Sequence, residues 1–195
     1  MEHDAAADDF RVRALQPGDA PAWLHFFDHV AFADNPRWAG CYCRFPLHDP
    51  SRETWDVKDA AGNRAAVGTA CRTGRAGGVL AYDGDQVVGW CNAGPFAQFP
   101  MLHDEPIPDA AGCGVIFCFV VAPDRRGQGV GRALLDAACT QLAAQGLTAV
   151  MARPLRVADS PAANHLGPLS MYLAAGFTVV REEDDGAVLV RRTLR

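Results

Sequence analysis

Residues 120–135, Val-Val-Ala-Pro-Asp-Arg-Arg-Gly-Gln-Gly-Val-Gly-Arg-Ala-Leu-Leu, constrain this chain more than any other stretch. An apolar strand end runs into a glycine-rich turn and directly on into an amphipathic helix. At such a junction the first helical amides have no carbonyl partner in a preceding turn. They point outward, with the positive end of the helix dipole behind them, and so form a seat for phosphate. Gly127, Gly129 and Gly131 remove the β-carbons that would hold a diphosphate off the backbone, and Arg125, Arg126 and Arg132 add positive charge beside it. These residues point to a cofactor that carries a diphosphate.

Spacing separates the known phosphate loops. A P-loop ends in Gly-Lys-Ser/Thr, whereas the one lysine of this chain is Lys58, far from the turn. A dinucleotide fingerprint needs G-x-G-x-x-G, and the run from Gly127 is G-x-G-x-G followed by Arg132. The segment instead resembles the acyl-CoA loop of the GNAT acetyltransferase superfamily, Gln/Arg-x-x-Gly-x-Gly/Ala, met here by Arg126, Gly129 and Gly131. A second stretch about forty residues on, Ser-Met-Tyr-Leu-Ala-Ala-Gly-Phe at 170–177, resembles that family's short helix ending in Tyr-x-x-x-Gly-Phe. Gly176 suits a helix C-cap at positive φ, and Phe177 to Arg181 reads as a strand feeding the core.

Composition is compatible with one such unit. The chain has 195 residues, 49% of them hydrophobic, enough for one sizeable core and short for two. We therefore expect a flexible tail over residues 1–9 and a single domain over 10–195. Eighteen basic against 23 acidic residues leave a net charge of −5, which argues against a broad nucleic-acid or anionic-membrane surface. Apolar runs reach only strand length, below the roughly 20 residues of a membrane span. The acidic start, MEHDAAADD, lacks the basic and apolar regions of a secretory signal, so the expected location is the cytoplasm. Seven scattered cysteines do not form a disulfide framework, and reduced thiols are expected. Cys41-x-Cys43 would need two further ligands to hold zinc. No metal is expected, and a loop of packed aromatics lining an acceptor pocket is the preferred reading of that segment, Asn35 to Pro46.

Periodicity supplies the elements. Phe10 to Leu15 alternates as a strand, and Trp23, Phe26, Phe27 and Val30 recur at helical spacing. Residues 51–73 read as a second helical region, interrupted by Gly62 and Gly68. Asp83-Gly84-Asp85 joins two strands of a hairpin, Val79 to Tyr82 and Gln86 to Ala93. The loop from Gly94 to Gly112 exceeds a mere connector. Cys113 to Val121 suits a central strand buried on both faces. Val130, Leu134, Ala138 and Leu142 form one inward helical stripe. Leu147 to Met151 and Ala187 to Thr193 complete the strands. The order βααβββαβαββ is an α+β (mixed α/β) arrangement. It matches the GNAT fold from about residue 10 to the end, with a mixed central sheet of six to seven strands and about four helices.

The resemblance implies the site. The strand before the glycine loop would splay from its parallel neighbour and admit pantetheine, which pairs with strand backbone as an added strand would. Phe119, Val120 and Val121 would meet pantetheine. Arg126, Gly127, Gln128, Gly129, Val130, Gly131 and Arg132 would hold the pyrophosphate through their amides. Asn164 is the nearest match to a family asparagine, eight residues before Tyr172, and Tyr172 would protonate the departing thiolate of CoA. Trp38, Tyr42, Trp90 and Phe96 are candidate walls of an acceptor pocket. The family moves acetyl from acetyl-CoA to an amine by direct attack on the thioester. For an amine of pKa near 10.4, neutralisation at pH 7.4 costs roughly 4 kcal/mol, so a base or water chain must take the proton. The strand glutamate some members use aligns here with Val115. His48, Asp49, His103, Asp104, Glu105 and Asp109 are the other candidates. The expected activity is acetyl transfer to a primary amine of a small molecule, with oligomeric state left open. Its alternatives are a protein-amine acetyltransferase, a non-catalytic acyl-CoA sensor or interaction domain, and a metal-binding regulator built on Cys41 and Cys43.

Overall fold

A computed structural model describes residues 10–105, 107, 109–157 and 163–195. The tail expected over 1–9 lies outside the described residues. The strands are β1 (Arg11–Ala14), β2 (Gly78–Asp83), β3 (Gln86–Pro95), β4 (Cys113–Val121), β5 (Ala149–Ala152), β6 (Thr178–Glu182) and β7 (Val188–Thr193). The α-helices are α1 (Ala20–His29), α2 (Ala60–Arg72), α3 (Val130–Ala144) and α4 (Leu169–Ala174). Their order along the chain is the expected βααβββαβαββ. One seven-stranded sheet runs β1-β2-β3-β4-β5-β7-β6, with β4 and β5 parallel and the other neighbours antiparallel.

Period-2 alternation in β3 assigns a helix to each face of the sheet. Gly89 lies against Val130 and Leu134 of α3, while the next residue, Trp90, packs on Trp23 of α1 with ring centroids 4.8 Å apart. The stripe Val130, Leu134, Ala138 and Leu142 is buried along its whole length. The helix sits so close that a β-carbon on Gly114 of β4 would come within 2.8 Å of Leu142. Trp23, Phe26 and Phe27 are fully buried on the other face, each contributing about 1.5–3 kcal/mol of transfer free energy. No helix among the described residues is long and apolar enough to cross a membrane.

Two elements depart from expectation. The second helical region starts only at Ala60, because Asp59 caps it through the Gly62 amide at 3.0 Å. The preceding stretch is instead turned by Asp49 and Asp56, which accept from the amides two residues on. Strand β6 does not feed the core: all five of its residues are exposed at the sheet edge, and only Phe177 before it is buried.

Strand β4 places the site. It pairs with β5 only from Cys113 to Ile116, opposite Ala149 to Ala152. On its other side the register to β3 slips between Asn92 and Ala93, which leaves Phe117 as an extra residue. A bulge of this kind bends its strand and sharpens the twist. From Phe117 to Val121 the β5-facing edge of β4 is therefore open.

Candidate active site

A cavity of about 900 Å³ occupies that opening. One wall is Phe117 to Val121 of β4 together with Arg125, Arg126, Gly127, Gly129, Gly131 and Arg132 of the turn. Gly127 and Gly129 hold φ of +75° and +88°, a region that costs other residues about 1–2 kcal/mol. A β-carbon at either would meet no protein atom within 4 Å, so what selects glycine there is backbone conformation and the open space above it. Gly129 is the N-cap of α3 and no side chain caps that end. The first amides of a 15-residue helix are thus left to a ligand or to water.

The arginines beside this turn already have carboxylate partners. Arg125 donates to Asp83 at 2.8 Å and Arg132 to Asp136 at 3.0 Å. Arg126 reaches across to Asp34, which follows α1, and also donates through Nε to the Val121 carbonyl at 3.1 Å. Its guanidinium holds the Asp34 carboxyl below the usual carboxylate range. The turn's remaining attraction for an anion therefore comes first from its amides and the helix dipole.

The opposite wall comes from two separate segments. One brings Asp34, Trp38, Cys41, Cys43, Phe45 and Trp55, and the other brings Asn164, His165, Gly167, Pro168 and Met171. Phe45 anchors the first, with Trp55 edge-on at 5.0 Å and Phe117 at 6.3 Å. Tyr42 and Cys43 both sit in the left-handed region, at φ of +48° and +54°. That double turn sends Cys43 inward to Cys118, whose hydrogen bond holds the Cys43 thiol below its ordinary value against the opposing effect of burial. The same bond is the first cause of the rise at Cys118, while burial pushes the Cys41 thiol up to about 11. Among the described residues no group of three or more His, Cys, Asp or Glu side chains could hold a metal ion.

The expected site residues divide into two sets. Trp38, Phe119, Val120, Val121, Arg126, Gly127, Gly129, Gly131, Arg132 and Asn164 share the cavity. Tyr42, Trp90, Phe96, Gln128, Val130 and Tyr172 are not part of its lining. Trp90 and Val130 are consumed by the two packing faces of the sheet. Phe96 is buried with Phe99 and Val115 behind β4. Tyr42 turns away to donate to Asp28 at 2.8 Å, and burial, then that hydrogen bond, pushes its phenol up to about 12. Gln128 folds back to donate to the Asp124 carbonyl at 2.8 Å. Tyr172 is 0% exposed, wedged between Phe119 and Phe177. Its hydroxyl donates to the Leu166 carbonyl at 2.8 Å, and burial raises its pKa well above the ordinary phenol. None of His48, Asp49, His103, Asp104, Glu105 and Asp109 lines the cavity. Sequence reasoning missed Asp34, Trp55, Phe117 and His165, while Phe45 fell within the aromatic loop it read as a pocket wall. The aromatic density of residues 38–55 was the one signal that could have found some of them.

The same fold recurs in known proteins. The model of the acetyltransferase (GNAT) family matches residues 35–166, more than half of the chain. This chain belongs to the GNAT acetyltransferase family. Its fold is shared by an N-acetyltransferase from Staphylococcus aureus Mu50 (15% identity, 96% of this chain and 99% of that one, TM-score 0.55). It is shared too by yncA from Salmonella typhimurium, solved with its cofactor acetyl-CoA (16%, 96% and 95%, TM-score 0.53). The ribosomal-protein-S18-alanine N-acetyltransferase of Escherichia coli is similar as well (17%, 95% and 94%, TM-score 0.50). No protein of curated function matches significantly. As a GNAT acyltransferase the chain carries a glycine turn ahead of α3 and a β4 that leaves β5 after Ile116.

Proposed function

We propose that residues 10–195 form one domain that transfers acetyl from acetyl-CoA to a primary amine of a small molecule. The observation that carries this reading is the continuity of the cavity. One cavity is lined by the turn at the uncapped start of α3, by the open edge of β4 and by the aromatic cluster of Phe45, Trp55 and Phe117. A diphosphate on the amides around Gly127 to Arg132 would direct the pantetheine arm along Phe119 to Val121, where the β4 edge supplies unpaired backbone groups. The thioester then meets the amine between β4 and the turn bearing Asn164. Attack forms the C–N bond, the C–S bond breaks, and the thiolate of CoA takes a proton.

Tyr172 enters this reading as the donor of that proton. Its phenol is protonated at neutral pH, and its hydrogen is shared with the Leu166 carbonyl, so delivery to sulfur requires that bond to exchange. The aromatic lining of the far end, Phe45, Trp55 and Phe117, favours a small acceptor over a folded protein surface. Acetyl-CoA-dependent thiol release, measured over a panel of small amines and amino-terminal peptides, tests both parts. Turnover confined to peptides would reject the small-molecule class. Absence of turnover in a chain that binds acetyl-CoA would support a sensor instead.

A further inference from the structure

Direct attack needs an acceptor nitrogen without its extra proton, and the described lining of the cavity contains few groups that could remove it. They are Asp34, the thiols of Cys41, Cys43 and Cys118, the guanidiniums of Arg125, Arg126 and Arg132, and the imidazole of His165. Guanidiniums do not deprotonate in proteins. Asp34 is bound to Arg126 at the glycine turn, which makes it a weak base. The Cys41 thiol is a proton holder at neutral pH, and Cys43 and Cys118 are engaged with each other inside the wall. The imidazole is the one type of group in this set whose unperturbed chemistry makes it a working base near neutrality.

Its placement fits the task. His165 sits on a 3-10 turn, Ala163–Leu166, and lines the cavity with its ring packed against that of Trp38, centroids 5.7 Å apart. Three contacts set the turn. The Gly167 amide donates to the Asn164 carbonyl at 2.9 Å, and the Tyr172 hydroxyl donates to Leu166 at 2.8 Å. Gly167 itself is pressed so tightly that a β-carbon there would lie 3.0 Å from the Tyr172 ring and 3.1 Å from that of Phe119. The turn is thereby held at the level of Phe119, where β4 has parted from β5 and where the acyl end of pantetheine would lie.

Resting on the acetyltransferase reading above, we infer that His165 is the general base that takes the acceptor's proton. A neutral imidazole accepts H⁺ from the substrate ammonium, and the freed lone pair attacks the thioester carbonyl. The C–N bond forms as the C–S bond breaks, and the electron pair leaves on the sulfur of CoA. The acylated nitrogen loses its second proton as the amide forms, which balances the one the sulfur receives, and the imidazolium returns its own to solvent, so the products are the amide and free CoA.

The test uses the full chain, with His165→Gln and His165→Ala, and two acceptors of the same body. One is a strongly basic alkylamine and the other is its alkoxyamine analogue, already unprotonated at pH 7.4. With the alkylamine, kcat/KM should fall on the order of 10²-fold or more in both variants. With the alkoxyamine it should change less than about 3-fold, and added imidazole should restore part of the alanine variant's rate. Calorimetry should show parental affinity for acetyl-CoA, which separates loss of the base from loss of the fold. The alkylamine kcat/KM of the parent should also rise through a limb between pH 5 and 8 that both variants lack. Equal losses for the two acceptors, or an unchanged rate with the alkylamine, would overturn the assignment of His165 alone. A parent chain that binds no acetyl-CoA would overturn the acetyltransferase reading and this inference with it.

Discussion

The wall that would receive the diphosphate comes from one contiguous run, Val120 to Arg132, whereas the wall facing it is gathered from residues 32–55 and 164–171. The first is made by local physics. A strand ends, two glycines take positive φ, and a helix begins with uncapped amides. The second exists only because distant segments meet. The loop after α1 is tied down by a triad in which Tyr42 donates to Asp28 while Arg64 of α2 donates to the same carboxylate at 2.8 Å. The turn bearing Asn164 and His165 is held by Tyr172 of α4. Damage to the contiguous wall should therefore appear in cofactor affinity, and damage to the gathered wall in acceptor kinetics.

The largest expected effect breaks the contiguous wall. Gly129→Val places a branched side chain at a φ of +88° and in the open space above the turn. Acetyl-CoA Kd should rise on the order of 10²-fold, about 2.7 kcal/mol, by calorimetry on a variant whose circular dichroism stays native. Gly131→Ala is the sharpening control. That residue is helical, and its β-carbon would rest 3.7 Å from the Met171 sulfur, so its loss should be under about tenfold, or 1.4 kcal/mol. Equal losses in the two variants would mean that the turn's conformation is not what binds.

Tyr172→Phe probes the buried hydroxyl that holds the gathered wall. As the acid for the thiolate, its loss should lower kcat on the order of 10²-fold with acetyl-CoA affinity nearly parental. A parental kcat accompanied by a lowered Tm would instead make the hydroxyl a tether for Leu166. The next effect is smaller: Phe45→Ala should raise the acceptor KM on the order of tenfold and leave acetyl-CoA Kd unchanged, since Phe45 packs on Trp55 and Phe117 away from the glycine turn. A shift in cofactor affinity from that variant would erase the division between the two walls.

The smallest effect lies in the scaffold of the gathered wall. Hydrogen bonding from Arg64, then from Tyr42, lowers the Asp28 pKa below the ordinary carboxylate value. A depressed carboxylate stabilises the fold above its unfolded pKa near 3.9, and that contribution disappears as pH falls through the folded value. Asp28→Asn should therefore cost about 1 kcal/mol at pH 7, with the two stability curves converging below about pH 4. Chemical denaturation at pH 7 and pH 3 measures this. An undiminished gap at pH 3 would show that charge is not what Asp28 contributes.

Element order was legible because hydrophobic period and turn chemistry are local properties. The glycine turn, the stripe on α3 and the Gly176 cap at φ of +83° all follow from neighbours within one or two turns. Aromatic roles were not legible in this way. Trp38 and Trp90 are the same residue type in similarly apolar surroundings, yet Trp38 lines the cavity at 40% exposure and Trp90 is buried against Trp23. Which side of β3 faces α1 is decided by register, and a slip of one residue would exchange the two faces.

By itself, then, the sequence determined the βααβββαβαββ order, the α3 core stripe and the glycine turn, since each depends on residues close together in the chain. The tertiary structure alone decided that β4 opens after Ile116 and that Tyr172 lies buried against Leu166. It alone brought His165 against Trp38, across 127 positions of chain. Those outcomes depend on strand register, on a bulge at Phe117 and on how closely loops can approach a twisted sheet, and no local propensity encodes such distances.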